Sequence, residues 1–310
     1  MTVHAHIHHR ARSAASARFV DPEVLARIDD LELLARTVVD GFVAGLHRSP
    51  YLGFSLDFAE HRAYMPGDDI RRIDWRLFAR TDRFYVKQFE AETNADVVLA
   101  VDVSASMGYG SGAVTKLDYA RFLGAALTHL STRQRDRVGL VTFADGPVES
   151  VPAAVRHGDH VLHALARARP VGEGDVTDAL TRVGGGLRRR GILTVISDLY
   201  ADVDRILEVL RSLRYRGQDV IVFHLLDPAE LELPGDEAAT YRDMETGEGL
   251  PVVAEEAREA YRRRIREHVD TLERGLRGSR VEYTLLETSR PLDRALYRFL
   301  SLRSARMRTR

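Results

Sequence analysis

The sequence predicts an α/β fold built on a doubly wound, mostly parallel β-sheet. Short, almost continuously apolar runs, such as DVVLAVDV at residues 96–103 and DVIVFHLL at residues 219–226, are typical of parallel strands buried on both faces. Between such runs lie segments whose apolar residues recur three and four positions apart, which is the helical period. Strands that alternate with helices over about 200 residues favour a parallel sheet. Right-handed crossovers then place helices on both faces of that sheet.

An amphipathic N-terminal helix and a small β-rich appendage are predicted before the alternating region. Asp21 and Pro22 form a helix start, with an N-cap followed by proline at the first helical position. Helical apolar spacing continues through about Val39. Residues 41–95 alternate apolar and polar side chains in places, and the run Pro66 to Asp69 is typical of a turn.

The alternating region predicts its elements in a definite order. The predicted strands are 96–103, 137–144, a short edge strand at 148–153, 191–198, 219–226 and 280–287. The predicted helices are 117–133, 157–168, 176–189, 202–216, 255–277 and 291–303. We predict four segments, which are a disordered tail (1–20), a helix and β-rich segment (21–95), an α/β domain (96–302) and a basic tail (303–310). The α/β domain contains an insertion (228–253), in which we predict a hairpin at Glu245-Thr246-Gly247.

Composition excludes several classes of site. The chain has 310 residues, of which 45% are hydrophobic and 29% charged, so it can bury a core. The absence of cysteine excludes disulfides, zinc–thiolate sites, iron–sulfur clusters and thiol nucleophiles, and it suits the cytoplasm. A net charge of -1 creates no overall electrostatic attraction to nucleic acid. No apolar stretch reaches the roughly 20 residues that a membrane-spanning helix needs. We expect a cytoplasmic protein, with no role assigned to the histidines near its start (His4, His6, His8, His9).

Oxygen-bearing side chains follow the first strand of the predicted sheet. Asp102, Ser104 and Ser106 occupy alternate positions, so an extended or turning backbone can aim them at one point. Hard oxygen ligands suit Mg²⁺, with Mn²⁺ as a second possibility. Asp198 ends another central strand and therefore lies at the same edge of a parallel sheet, where ligands of such folds bind. The alternative interpretation is that these residues only form turns and helix caps.

Two further oxygen-bearing side chains are candidate ligands. Asp175 and Thr177 lie in the loop before another predicted helix. The run VVLAVDVSASM, which contains Asp102, Ser104 and Ser106, resembles the metal-ion-dependent adhesion site of von Willebrand A domains, which have a Rossmann-like fold. In that family DxSxS supplies three ligands, and a later Thr and an Asp after a later strand complete the site.

The resemblance to the adhesion site is incomplete at the threonine. Alignment on the pair Ala179-Leu180 puts Gly174 where the family has Thr. The resemblance then implies that Thr177 or Asp175 substitutes for it, that the ion is held through water, or that binding is weak.

A second resemblance covers residues 21–302. The pattern R-x-Y-x-P-G-D-D-x-R-x-I-D-W, followed by A-R-T, is similar to the hallmark of the domain of unknown function 58 family. The residues that carry it are Arg62, Tyr64, Pro66, Gly67, Asp68, Asp69, Arg71, Asp74 and Trp75. Many members have membrane helices before this segment, so the chain resembles the short, soluble branch. The family often accompanies MoxR-type AAA+ ATPases, which implies an adaptor or co-chaperone for such a motor.

The residues of this hallmark also have a physical interpretation of their own. Pro66 and Gly67 predict a tight turn, and the neighbouring acidic and arginine side chains can form bidentate pairs. Trp75 is the only tryptophan, and we expect it to be a buried anchor. The segment is then either a clasp on the α/β domain or a docking surface for a partner.

These observations favour a non-enzymatic binding module over two alternatives. In the favoured interpretation the metal ion keeps an open position, which an acidic side chain of a protein partner fills. One alternative is a metal-dependent phosphohydrolase that uses the same Asp/Ser site, with Asp102 as the nucleophile. The other is a structural domain whose loop binds nothing. The run Gly108 to Ala113 fits G-x-G-x-x-A only loosely, and no G-x-S-x-G elbow is present.

Overall fold

The computed structural model describes residues 21–47, 61–65, 73, 75–87, 95–172, 174–187, 189–235 and 238–308. Its helices are α1 (Pro22–Leu25), α2 (Leu31–His47), α3 (Trp75–Thr81), α4 (Lys116–Arg133), α5 (Gly158–Arg167), α6 (Val176–Gly186), α7 (Val203–Tyr215), α8 (Pro228–Glu232), α9 (Ala254–Arg277) and α10 (Asp293–Arg308). Its strands are β1 (His61–Ala63), β2 (Tyr85–Lys87), β3 (Asp96–Asp102), β4 (Arg137–Phe143), β5 (Pro147–Ala154), β6 (Gly191–Ser197), β7 (Asp219–Leu226), β8 (Ala238–Arg242), β9 (Gly249–Val253) and β10 (Glu282–Glu287).

A six-stranded sheet forms the centre of the fold. Its strand order is β10-β7-β6-β3-β4-β5. Every neighbouring pair is parallel except β4 and β5, which are antiparallel. The predicted doubly wound, mostly parallel α/β sheet is therefore confirmed, and the predicted edge strand is β5. The order reverses between β3 and β6, because the chain leaves β3 towards one edge of the sheet and builds the other edge from β6 onward.

Helices cover both faces of this sheet, as the crossover rule predicts. Along β3, Leu99 and Val101 belong to one buried apolar cluster and Ala100 to the other, which is the alternation of a strand buried on both faces. The first cluster includes side chains of α2, α4, α5 and α10. The second includes side chains of α6, α7 and α9. The strand sequences are almost continuously apolar because both faces of the sheet are covered by helices and excluded from water.

The N-terminal helix differs from its prediction. Asp21 caps α1 through a 3.0 Å hydrogen bond from the Glu23 amide, and Pro22 follows it, as predicted. The predicted single helix through about Val39 is wrong, because α1 ends at Leu25 and α2 begins at Leu31. The Asp30 carboxylate accepts hydrogen bonds from two amides of the first turn of α2, and such a cap starts a new helix.

The described part of the appendage contains a small β-sheet and a helix. In the part that the structure describes, β1 and β2 form an antiparallel pair of three residues each, and the unpredicted helix α3 lies between them in the chain. Of the hallmark residues, Arg62 lies in β1, Tyr64 follows it and Trp75 begins α3. The remaining hallmark residues, whose turn and ion pairs the sequence predicted, lie outside the described residues (Pro66, Gly67, Asp68, Asp69, Arg71, Asp74).

Trp75 is not the buried anchor that we expected. Its side chain is 58% exposed. Its ring contacts Phe78 and Phe84 edge-on, with centroids 6.1 and 6.4 Å away, and those two phenylalanine rings stack at 4.4 Å. Within the described part of the appendage, Trp75 thus packs against other aromatic rings, which suits an indole that keeps one side exposed.

The insertion follows the predicted pattern, whereas the final helix is longer than predicted. The insertion begins with the short helix α8 and continues as the hairpin β8–β9, whose turn contains Glu245, Thr246 and Gly247, as predicted. The helix α10 continues to Arg308, so its backbone includes most of the predicted basic tail. Within the described ranges, no helix combines the length and the apolar character that a bilayer crossing requires.

Truncation of a central core side chain should test this architecture. Leu99 is fully buried in β3, so we expect Leu99→Ala to lower the free energy of unfolding by about 2–5 kcal/mol through lost contacts and a residual cavity. The matched control Leu33→Ala removes the same atoms from a side chain that is 53% exposed, and we expect a loss below about 0.5 kcal/mol. Urea denaturation measures both, and equal losses would contradict the described core.

Candidate metal centre

Asp102 and Asp198 lie side by side where two parallel strands end. Strands β3 and β6 are neighbours in register, with Val101 opposite Ile196, so their carboxyl ends share one edge of the sheet as predicted. The Ser197 hydroxyl donates a 2.5 Å hydrogen bond to Asp102 Oδ2, and the Ser104 amide donates one of 2.9 Å to Oδ1. These bonds fix the Asp102 carboxylate, which is almost completely buried.

The two predicted serines connect this strand end to Asp198. Ser104 Oγ lies 3.1 Å from Ser106 Oγ, and the Ser106 hydroxyl donates a 2.8 Å hydrogen bond to Asp198 Oδ2. A 3₁₀ turn over Ala105–Gly108 presents these hydroxyls. The structure thus brings together Asp102, Ser104, Ser106 and Asp198, which are the four residues that carry the sequence prediction.

Lys116 is a member of the site that sequence reasoning missed. It is the first residue of α4, and its ammonium donates hydrogen bonds of 2.8 Å to Asp198 Oδ2 and 2.5 Å to Glu230 Oε1. Its side chain is fully buried, and Nζ lies 4.9 Å from the centroid of the Tyr200 ring. Burial alone would lower the pKa of Lys116, but the two carboxylates outweigh burial and raise it. The rarity of lysine was an available sequence signal, since only Lys87 and Lys116 occur among 45 basic residues.

Carboxyl groups cluster near this lysine. Burial, and next the charge of Asp198, raise the pKa of Asp102 from 3.8 to about 7. Burial also raises the pKa of Glu230 and of Glu245, a residue of the β8–β9 turn that faces Ser106. Asp198 and Glu230 contact the one ammonium, while Asp102 and Glu245 each feel the charge of Asp198, and such a cluster of carboxyl groups favours protonation or a bound cation.

The donor set fits a hard divalent cation that is bound through hydroxyls. Among the described residues, no three His, Asp or Glu side chains come close enough together to hold a metal by themselves. The Ser104 and Ser106 hydroxyls would therefore have to be ligands, with Asp198 beside them and Asp102 behind them. Hydroxyl and carboxylate oxygens are the ligands that Mg²⁺ prefers, and Mg²⁺ keeps waters where protein ligands are few.

The other two candidate ligands have a different role in this structure. Asp175 is the N-cap of α6, and its carboxylate accepts a 2.8 Å hydrogen bond from the Thr177 amide and a bond from the Thr177 hydroxyl. Asp175 also pairs with Arg205 at 3.2 Å. These contacts account for both side chains without a metal, so their part in ion binding stays a prediction.

Gly174 lies against the serine loop. A Cβ atom added at this position would meet the Ser104 Cβ at 2.9 Å and the carbonyl carbon of Ala144 at 3.4 Å. A threonine in the same backbone would therefore collide with the loop that carries the hydroxyls. Glycine in place of threonine thus allows the loop that contains Gly174 to pack closely against the loop that contains Ser104.

A cavity of about 620 Å³ opens beside the serines. Ser106 and Glu230 lie on its wall, together with residues of the β8–β9 hairpin and of α9. Its aromatic lining consists of Tyr109, Tyr200, Tyr241 and Tyr261. The site is therefore enclosed by the insertion, while the cavity gives access to it.

Removal of the Lys116 ammonium should destabilise the fold strongly. Lys116→Met keeps a long, unbranched side chain but leaves Asp198 and Glu230 without their buried cation. We therefore expect the free energy of unfolding to fall by about 3–5 kcal/mol. The control Arg277→Met removes an exposed pair with Glu273 and should cost below about 1 kcal/mol. Chemical denaturation measures both, and a Lys116→Met loss as small as the control's would show that the buried pair does not form.

The raised pKa of Asp102 should make stability fall as pH rises. The pKa of this carboxyl is about 7 in the folded chain, against 3.8 as its ordinary value. Between those values the folded state holds more protons than the unfolded state, so the free energy of unfolding decreases with increasing pH. Asp102→Asn removes the ionisable group and with it this pH dependence. We therefore expect the free energy of unfolding of Asp102→Asn, compared with that of the native chain in chelator, to be more favourable at about pH 8 than at about pH 5.

Urea denaturation at the two pH values measures this difference. The control is Asp204→Asn in α7, whose side chain is exposed, and we expect its relative stability to be nearly the same at both pH values. An equally flat response of Asp102→Asn would contradict the burial of an ionisable carboxyl at this position.

Comparisons with known proteins identify the family. The family described as "Protein of unknown function DUF58" matches residues 60–271. The uncharacterized protein Rv1480 of Mycobacterium tuberculosis is 30% identical over 289 residues, which are 91% of this chain and 90% of that protein.

Solved structures are more distant. The conserved hypothetical protein BatB from Bacteroides thetaiotaomicron is 16% identical, covers 68% of this chain and 99% of its own, and has a TM-score of 0.49. A von Willebrand factor type A protein from Catenulispora acidiphila is 15% identical, covers 54% of this chain and 42% of its own, and has a TM-score of 0.32. The family match spans more than half of the chain and includes all of the hallmark residues, so this chain belongs to the DUF58 family of proteins of unknown function.

Proposed function

We propose that this chain is a non-enzymatic binding module that recognises an acidic side chain of a protein partner through a divalent cation, Mg²⁺ or Mn²⁺. The observation that carries the proposal is the surplus of carboxylates around two hydroxyls at the sheet edge. Asp102 and Asp198 meet there beside Ser104 and Ser106, and Lys116 is the nearest cation. A divalent ion at this place would offset the surplus.

Each residue has a distinct part in the proposed site. The Ser104 and Ser106 hydroxyls are direct ligands, since their oxygens lie 3.1 Å apart at the open end of the strand. Asp198 supplies charge beside Ser106, and Asp102 supplies charge from behind while it fixes the loop through the Ser104 amide. The bound ion supplies an open coordination position for a carboxylate of the partner.

The contacts of Asp102 favour binding over phosphoryl chemistry. A phosphohydrolase would need this carboxylate as a nucleophile, with a free oxygen facing the substrate. Both Asp102 oxygens already accept hydrogen bonds, and the side chain is 3% exposed. A carboxylate held in this way suits a supporting role in binding.

The partner that we propose is a MoxR-type AAA+ ATPase, for which the chain would act as an adaptor or co-chaperone. This partner follows from the family resemblance, since members often accompany such ATPases. The site contributes the chemistry of recognition, which is a carboxylate on the surface of the motor. The cytoplasmic location of the complex stays a prediction.

Binding of the ATPase should depend on the divalent ion and on the two serines. We expect the purified native chain to capture a purified MoxR-type ATPase from the same organism with millimolar Mg²⁺ and to release it in excess chelator. The double variant Ser104→Ala/Ser106→Ala removes both hydroxyl ligands, and we expect its affinity to fall by at least about tenfold, equivalent to about 1.4 kcal/mol. Biolayer interferometry measures the affinities.

The matched control is Ser289→Ala, which removes a hydroxyl from an exposed loop. Its affinity should equal that of the native chain. Capture that persists unchanged in chelator or in the double variant would contradict the cation-dependent site. Release of phosphate from generic esters by the native chain, absent in Asp102→Asn, would instead favour the phosphohydrolase. A structural domain with an empty loop predicts no thermal shift with Mg²⁺ or Mn²⁺.

A further inference from the structure

A second cavity lies at the opposite edge of the sheet from the candidate metal centre. Its volume is about 550 Å³, which is a size typical of small-molecule sites, and its wall includes Asp96, Arg137 and Gly191. These three residues begin the strands β3, β4 and β6 and are neighbours in register. The seven residues of β3 separate this edge from Asp102 by about 20 Å. The cavity is therefore independent of the proposed cation site.

The floor of this cavity is a gap in the apolar layer between the sheet and α6. Val98 of β3 and Val141 of β4 line it, and both are only half-buried, although they pack against the second apolar cluster. On the other face of the same strands, Leu99 and Leu140 are fully buried. One face of these two central strands is thus covered less completely than the other.

Glycines at the end of α6 keep this gap open. The helix ends in Gly184-Gly185-Gly186. Gly184 has to lack a side chain, because an added Cβ atom would collide with Leu213. Gly186 is different, since it lines the cavity and a Cβ atom added there would meet nothing within 4 Å. The end of α6 therefore leaves apolar space that the chain itself does not fill.

Two arginines of this cavity have no carboxylate partner in the part of the chain that the structure describes. Arg137 pairs with Asp96 at 3.4 Å, so its charge is offset. Arg182 donates a 3.0 Å hydrogen bond to the Asp145 carbonyl, which carries no net charge. Arg189 also lines the cavity, and both it and Arg182 are exposed. Two positive charges therefore lie beside the apolar gap.

We propose that this cavity binds a small phosphate monoester with an aliphatic body. A phosphate monoester carries nearly two negative charges at neutral pH, which match the two arginines, and guanidinium groups bind phosphate oxygens in pairs. The half-buried valines and Leu187 receive the aliphatic part. The cavity is lined by aliphatic, polar and charged residues, glycine and proline, so it suits an aliphatic body better than a base, which proteins hold by aromatic stacking.

Calorimetry with hexyl phosphate as the probe tests this site. The native chain is titrated in excess chelator, so that no divalent ion at the candidate metal centre holds the phosphate. We expect hexyl phosphate to bind at one site, and inorganic phosphate and hexanol to bind at least about tenfold more weakly, because each lacks one of the two recognised parts. No binding of hexyl phosphate, or equally tight binding of inorganic phosphate, would overturn the proposal.

Two variants assign the binding to this cavity. Arg182→Gln/Arg189→Gln removes both unpaired charges, and we expect its affinity for hexyl phosphate to fall by at least about tenfold. Gly186→Leu keeps the charges and places a side chain in the gap, and we expect a loss of similar size because the aliphatic part no longer fits. Unchanged affinity in either variant would overturn the proposal.

The matched control is Arg277→Gln/Arg290→Gln, which removes the same charge from two exposed side chains elsewhere on the chain. It should bind hexyl phosphate as tightly as the native chain does, and urea denaturation checks that every variant is folded. Equal losses in the two double variants would show that hexyl phosphate responds only to the overall charge of the chain, and the proposal would then fail.

Discussion

The buried ammonium of Lys116 is the interaction on which the site depends. Burial of a lysine is costly unless its charge is paired, and here Asp198 and Glu230 pair it. One carboxylate comes from the end of β6 and the other from the insertion, while Lys116 itself begins α4. A single side chain therefore joins the sheet edge, a core helix and the insertion. Its hydrogen bonds set the distance at which the insertion sits over the serine loop.

Strand order places this charge cluster where a ligand can reach it. The sheet reverses its order between β3 and β6, so the loops that leave these two strands diverge and leave an opening at their carboxyl ends. Asp102 and Asp198 lie at the two sides of that opening. The charge of Asp198 disfavours ionisation of Asp102 there, and a bound cation or a proton would reduce this repulsion.

Aromatic packing in the appendage follows a different principle from packing in the core. The side chains of the two central clusters are buried against the sheet, and there apolar area removed from water stabilises the fold. Trp75, Phe78 and Phe84 instead contact one another at the surface. A hallmark residue that stays exposed contributes little to core stability, which is compatible with either a structural clasp or a docking surface for this segment.

The sequence by itself determined the order of the strands in the six-stranded sheet and of the helices between them, and it singled out four oxygen-bearing residues of the candidate site. Apolar periodicity reports whether a strand is buried on both faces, and alternate spacing after a strand places side chains on one side. The sequence did not reveal the break between α1 and α2 or the exposure of Trp75. It also did not reveal that Lys116, Glu230 and Glu245 lie at the candidate site. The helix break follows from the local cap at Asp30. Only the tertiary structure decided the other features, because they depend on which distant segments meet. Lys116 and Glu230 are 114 positions apart in the chain, and no local pattern records their pairing.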